Sequence, residues 1–325
     1  MTAELIPNPE RRLIPTRRQP MDQNPAAVYL AGLSKGSRRT MLQSLNAIAG
    51  LLTGGQADCF SVEWGALRYQ HTAAIREQLS GHYSSATANK MLCGLRGALK
   101  AAWRLGQMNA EDYQRAIDVK SVSGQTIPAG RELAAGEIGA LMKACADDST
   151  PAGARDAAIV ALLYTAGLRR AEVISLDLAN YNAGKGLLKV HGKRNKVRTA
   201  YLVNGAAAAM EDWLSVRGTA AGPLFQAINK GGRIVEGRMT SQAIYNLLQK
   251  RAAEAGITEP FSPHDFRRTF VGDLLEAGAD IATVSKMAGH ASVQTTARYD
   301  RRPEEAKIKA ANLLHVPYTR KKLHP

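Results

Sequence analysis

In the segment FSPHDFRRTFVGDLLEAG, His264 and Arg267 stand three residues apart, a spacing that puts both on one face at the start of a helix. Ser262 suits an N-cap, Pro263 the first helical position, and Asp265 stands where a capping box wants an acid. That end of a helix attracts anions, so an imidazole and a guanidinium there make a phosphate site. Alone, such a pair is commonly an ordinary surface feature.

Three more segments add to it. In TAGLRRAEVISL, Gly167 breaks one helix and Arg169 emerges where the next begins, offering a planar fork of donors that is charged at any working pH. Glu172 is expected to hold a neighbouring cation or a cap, while Arg170 and Arg268 are expected to be structural or DNA-backbone contacts. In VHGKRNKVR, a short hairpin can deliver an ammonium as proton donor to a leaving oxygen, with Lys193 and Lys196 both candidates. In KMAGHASVQTTARYDRR, Gly289 has the character of a helix C-cap with His290 in the following turn, and Ser292 caps a short helix whose far end carries Arg298 and Tyr299.

The elements that must position these residues are mostly helical. Residues 1–24 are rich in proline and arginine without hydrophobic period, which suggests a flexible basic tail. From 25 to 119, the stretches SRRTMLQSLNAIAGLL, VEWGALRYQHTAAIREQL and SATANKMLCGLRGALKAAWRLG carry apolar residues at helical spacing. In the last, Met91, Leu95, Leu99 and Trp103 form a stripe, with Lys90, Arg96, Lys100 and Arg104 largely off it. Residues 120–132 form a breaker-rich linker. Beyond it, RELAAGEIGALMKAC opens a second unit with helices near 153–166, 205–217, 240–255, 263–277, 280–288 and 292–298. Two strands are expected near 187–191 and 197–203, and PEEAKIKAANLLHV, at 303–316, has the pattern of an amphipathic helix. The expected fold is mainly α, a helical N-terminal domain over 25–119 and a mostly helical domain with a small antiparallel β-sheet over 133–315, closed by a basic tail at 316–325.

Charge narrows the partners. The 325 residues carry 43 Lys and Arg against 28 Asp and Glu, a net charge of +15. Residues 1–130 hold 15 basic against 9 acidic residues and residues 131–325 hold 28 against 19, so both halves suit a polyanion. Cys59, Cys93 and Cys145 are scattered without metal-ligand or disulfide spacing, which fits a reducing compartment. No apolar run is long enough to span a membrane and no basic-then-apolar leader opens the chain, so a cytoplasmic, nucleoid-associated protein is expected. No metal and no cofactor are expected, because neither an acidic cluster for magnesium nor a GxxxxGK[ST] loop is present.

Taken in order, TAGLRRAE, HGKRNK, SPHDFRRTF and AGHASVQTTARY resemble the four motif blocks of the tyrosine recombinase (phage-integrase-type, Xer-like) family. The resemblance is strong over about 133–315, including the nine-residue step from His290 to Tyr299, and weaker over 25–119, which is similar to that family's core-binding domain. It implies that Arg169 and Arg267 clamp the phosphate and that Lys193 protonates the departing 5′ oxygen, with Lys196 the fallback. It further implies that His264 assists proton transfer, His290 binds the phosphate and Tyr299 is the nucleophile. Arg268 departs from many relatives, which have histidine there. The implied activity is site-specific DNA recombination through a 3′-phosphotyrosyl link and a Holliday junction, by a homotetramer on two double-stranded DNA duplexes. The 303–316 helix would dock on a neighbouring protomer. Arg38, Arg39, Lys90, Arg96, Lys100 and Lys196 are the expected DNA contacts. The alternatives are a type IB topoisomerase-like relaxing enzyme and a non-catalytic DNA-binding protein of the same fold.

Overall fold

The computed structural model describes residues 19–124, 130–192, 196–300, 308, 311–314 and 317. Outside them lie most of the basic tail expected at 1–24, residues 125–129 of the linker, Lys193, most of the helix expected at 303–316 and nearly all of the tail expected at 316–325. Two compact units divide the chain, Met1–Pro128 and Ala129–Pro325.

The first unit is helical throughout, with α1 (Pro25–Ala31), α2 (Lys35–Thr53), α3 (Tyr69–His82), α4 (Ser85–Arg104) and α5 (Ala110–Ile117). Asn24, at the end of the expected tail, is buried. Its side chain caps α1 by accepting from the Ala27 N–H and donates to the Phe60 carbonyl at 2.8 Å. Met91, Leu95 and Leu99 of α4 enter the core with Leu45, Ile48 and Leu79. Trp103 does not continue that stripe. It is 39% exposed and stacks on Tyr113 at 5.2 Å, because α5 lies beside the end of α4 and presents that ring.

The helix expected across VEWGALRYQHTAAIREQL is broken. A single 3₁₀ turn, Trp64–Ala66, precedes an extended Arg68, whose N–H donates to His71 Nδ1. The buried Trp64 Nε1 donates to the Cys59 carbonyl, and Gly65 packs so tightly on Gln107 that a Cβ would meet its carbonyl oxygen at 2.6 Å. Tertiary fit overrides helical periodicity there.

The second unit runs α6 (Ala135–Ala146), α7 (Pro151–Thr165), α8 (Arg170–Ser175), β1 (Tyr181–Asn182), β2 (Leu187–His191), β3 (Val197–Tyr201), α9 (Gly205–Arg217), β4 (Gln226–Ile228), β5 (Ile234–Arg238), α10 (Ser241–Glu254), α11 (Pro263–Glu276), α12 (Ile281–Ala288) and α13 (Val293–Ala297). Strands β1, β2 and β3 form one antiparallel sheet, with Leu188 opposite Ala200 and Val190 opposite Arg198; β4 and β5 form a separate hairpin. The expected mainly helical class with a small antiparallel sheet holds. The β4–β5 pair, closed by the turn from Asn229 to Gly232, is an addition to it.

Helix α7 is apolar nearly all round and runs through the core, against Trp213 of α9 and Phe266 of α11. Its polar end is tied down by Arg251 of α10, 1% exposed, which donates to Asp156, Asp148 and Glu254. A buried guanidinium needs this many acceptors to offset lost hydration. Among the described residues, no helix is long and apolar enough to cross a membrane.

Candidate active site

Helix α11 is built as its sequence suggests. Ser262 precedes it in extended conformation, and Asp265 Oδ2 accepts from both the Ser262 N–H, at 2.8 Å, and the Ser262 hydroxyl, at 3.0 Å. One oxygen of Asp265 thereby serves the cap. His264 and Arg267 stand on the first turns of this helix.

Arg267 is 2% exposed. Its Nη1 donates to the Gly167 carbonyl at 2.8 Å, whereas Nη2 is buried without a hydrogen-bond partner among the described residues. Gly167 allows this contact. Its φ is 55°, and a Cβ would lie 2.5 Å from Cδ1 of Phe270 on α11, so only glycine lets the end of α7 approach so closely.

Arg169 is the residue before α8, and Glu172 turns back to fix it. One carboxylate oxygen accepts from the Arg169 N–H at 2.9 Å and the other from Arg169 Nη1 at 2.7 Å. The same carboxylate receives both prongs of Arg198, from β3, at 3.1 and 2.8 Å. Arg198 Nε donates to the Met287 carbonyl near the end of α12, and its Cδ lies against Gly289. Burial alone would raise the Glu172 carboxyl, but the hydrogen bonds from Arg198 and from the Arg169 N–H outweigh it and bring its pKa to about 2. Glu172 therefore has the structural role expected of it. Arg198 was not singled out by the sequence, although its placement two residues after Lys196, on the buried face of a strand, is a readable signal.

Gly289 ends α12 in left-handed conformation, and the following His290 N–H donates back to the Ser285 carbonyl at 3.0 Å. His290 Nδ1 is hydrogen-bonded to Thr296 Oγ1 at 2.8 Å. The hydroxyl of Ser292 caps α13, which carries Tyr299 just beyond its end. The Tyr299 ring stacks on His290, with centroids 6.2 Å apart and planes 21° from parallel. Its other neighbours include Arg268, whose guanidinium carbon lies 5.7 Å from the ring centre.

These groups converge. Arg169, Lys196, Arg198, Lys286 and His290 line one cavity of about 650 Å³. Arg267 lies within electrostatic reach of Arg169, His264, His290 and Tyr299. Burial, then the charges of Arg169 and Arg198, lower Arg267 to about 10. Burial, then Arg267 and Arg169, lower His290 to about 4. For His264, local desolvation and then Arg267 act in the same downward direction; its surface is exposed, so the direction stands mainly on the charge. Each shift is downward, from burial first and then from the neighbouring cations, as expected where positive groups are crowded together.

Of the six expected chemical residues, Arg169, His264, Arg267, His290 and Tyr299 are brought together. Lys193 falls outside the described residues, while the exposed Lys196 lines the cavity. Arg170 donates to the Ser241 carbonyl at 3.5 Å. In the first unit, Arg39, Lys90 and Lys100 are exposed. Arg38 spends its guanidinium on the carbonyls of Leu30, Ala31 and Leu33, at the end of α1, and Arg96 spends its own on Ile117 and Val119.

The family model of the phage integrase family matches residues 131–305. The chain is 34% identical over 222 residues to tyrosine recombinase XerC of Alcanivorax borkumensis, covering 66% of this chain and 69% of that one. It is 33% identical over 231 residues to XerC of Azotobacter vinelandii, covering 69% and 72%. In fold, it is similar to the Tn1549 transposon integrase in complex with transposon right end DNA, at TM-score 0.68 and 15% identity over 91% of this chain and 99% of that one. It is also similar to the XerH site-specific recombinase bound to palindromic difH substrate, at TM-score 0.66 and 17% identity over 92% and 98%.

Proposed function

The chain belongs to the phage integrase family and is a site-specific tyrosine recombinase, and we propose that it cuts and rejoins double-stranded DNA through a covalent bond to Tyr299. The observation that carries this assignment is the buried Nη2 of Arg267, without a hydrogen-bond partner among the described residues, within electrostatic reach of a second arginine and two histidines, with a phenol stacked on one of those histidines.

In this reading the scissile phosphate is the anion that these cationic groups hold. Arg169 and Arg267 neutralise charge growing on its non-bridging oxygens, held ready by Glu172 and the Gly167 carbonyl. The Tyr299 oxygen attacks phosphorus, the 5′ oxygen leaves, and a 3′-phosphotyrosyl ester forms. His264, whose depressed pKa leaves its imidazole neutral near pH 7, accepts the phenol proton. His290, oriented by Thr296, donates a hydrogen bond to the phosphate. The hairpin provides the proton for the departing oxygen from Lys193, or from Lys196. The ester keeps the phosphodiester's energy, so a 5′-hydroxyl of a second strand can reverse the step and yield a recombinant strand.

The wider reading is a homotetramer on two duplexes passing through a Holliday junction, acting on intracellular DNA in the cytoplasm, with a helical first domain that grips DNA through Arg39, Lys90 and Lys100. The test is capture. The full chain is incubated with sheared genomic DNA carrying nicks, and protein–DNA adducts are isolated under denaturing conditions and sequenced. Adducts at discrete sites that Tyr299→Phe eliminates support the assignment. Adduct formation by the Phe variant, or none by the unaltered chain, counts against it. Relaxation of plasmids lacking any trapped site would favour a topoisomerase-like activity instead.

A further inference from the structure

Arg268 follows Arg267 on α11 but faces elsewhere, since successive helical residues are about 100° apart. While Arg267 turns toward the Gly167 carbonyl and the cationic pocket, Arg268 donates through Nη1 to the Gly130 carbonyl at 2.8 Å and sets its guanidinium carbon 5.7 Å from the centre of the Tyr299 ring. It is 4% exposed. A guanidinium over an aromatic face is attracted to the ring's negative quadrupole, and desolvation strengthens the contact.

The remaining support for that ring is the His290 ring stacked on it at 6.2 Å and the short segment that carries it. Tyr299 lies beyond the end of the five-residue α13, its N–H donating to the Thr296 carbonyl at 2.9 Å. Its apolar neighbours belong to the small cluster of Phe270, Val271, Leu275, Val284 and Ala288, where the ring packs only part-buried. A short helix end held by one turn of hydrogen bonding is the kind of segment that opens locally at small cost. Arg268, by contrast, is fixed from a long buried helix whose neighbouring residue Arg267 is part of the phosphate site. One turn of α11 thus addresses two reactants from two faces: Arg267 the phosphate, Arg268 the attacking ring.

We propose that Arg268 is a positioning residue that seats the Tyr299 ring beside the phosphate-binding pocket through a cation–π contact, setting the fraction of molecules with the nucleophile docked. The inference rests on the assignment of Tyr299 as nucleophile for its catalytic consequence, but the seating itself is a property of the free chain. No bond is made or broken by Arg268. It acts only on where the phenol stands before attack, so its removal lowers the population competent to react and leaves the DNA-binding surface in place.

Two measurements on the full-length chain separate these levels. The first needs no DNA: the rate at which Tyr299 is iodinated, mapped by peptide mass, with Tyr164 and Tyr181 as internal references. Arg268→Gln, which keeps a donor toward the Gly130 carbonyl but removes the charge, should raise Tyr299 labelling about 3- to 30-fold, the range expected of a desolvated cation–π contact. The reference tyrosines should not change, and Arg268→Lys should stay near the unaltered rate.

The second is single-turnover cleavage of a nicked duplex at saturating protein. Arg268→Gln should slow adduct formation without moving the half-saturating protein concentration, the fold-loss in rate multiplied by the fold-gain in labelling giving the change in the docking equilibrium, and Arg268→Lys should recover most of the rate. Unchanged Tyr299 labelling in Arg268→Gln overturns the inference, as does an equal rise at all three tyrosines. If Arg268→Gln loses cooperative melting, Arg268→Met takes its place under the same criteria. Loss of melting in both assigns Arg268 to the core and overturns the seating role. Absence of any adduct with the unaltered chain would instead strike the assignment of function, while the labelling result still decides the seating.

Discussion

Arg198 and Glu172 meet in a two-pronged ion pair, Nη1 to Oε1 at 3.1 Å and Nη2 to Oε2 at 2.8 Å, and the same carboxylate holds Arg169 by its backbone and its side chain. Because Arg198 also reaches the Met287 carbonyl, one guanidinium joins the strand, the start of α8 and the end of α12. Two of the expected chemical residues, Arg169 and His290, therefore take their positions from a side chain that needs no contact with the reacting phosphate.

Arg198→Ala is expected to slow single-turnover cleavage by about 100-fold, the cost of a small misplacement at a reacting centre. Arg198→Lys restores only part of the rate, since a lysine cannot reproduce the fork. Cleavage of a nicked duplex, measured alongside thermal melting, checks this. Full activity in the Ala variant would remove Arg198 from the scheme.

The histidines predict how the free chain responds to acid. The His290 pKa is lowered from 6.5 to about 4, so the unfolded chain binds more protons between those values. Stability from this group is complete above about pH 6.5 and is lost as pH falls toward 4. His264 acts in the same direction. Melting temperature should therefore decline over that window, and His290→Gln should decline less steeply. Parallel curves for the two proteins would contradict the prediction.

Gly167→Ala should be destabilising by roughly 1–3 kcal/mol from its positive φ alone, with a further cost from the clash with Phe270. It should also reduce cleavage, because the Gly167 carbonyl that holds Arg267 must shift. Chemical denaturation and single-turnover rates on the same preparation test both effects. An Ala variant as stable and as active as the unaltered chain would show that the close approach is dispensable.

Much of this site was legible in the sequence because its parts are local. Ser262, Pro263 and Asp265 announce the start of α11, Gly289 and Ser292 announce the turn that carries His290, and each signal acts within four residues. The convergence itself came from the resemblance across four blocks, since no local rule joins Arg169 to Tyr299. What escaped was long-range. The turn at Gly65 obeys a contact with Gln107, more than forty residues away, and Arg198 owes its importance to Glu172 and Met287. The partners of Arg96 were hidden for the same reason: a basic side chain reads as solvent-facing until the carbonyls it serves, here those of Ile117 and Val119, are placed. The β4–β5 hairpin is different: its Asn-Lys-Gly-Gly turn is local, but β4 spans only Gln226–Ile228, too short for an alternating pattern to register.

The alternation of β3 gives its hairpin an uneven tolerance to change. Arg198 and Ala200 face inward and Val197, Thr199 and Tyr201 outward, paired in fixed register with β2. A slip of one residue in that pairing would turn Arg198 to solvent and bring a neighbour into its place. Insertions or deletions confined to the turn leave the phase of the strand intact, whereas an odd-numbered shift within β3 does not. Length variation among descendants of this chain should accordingly be purged from the stem of the hairpin.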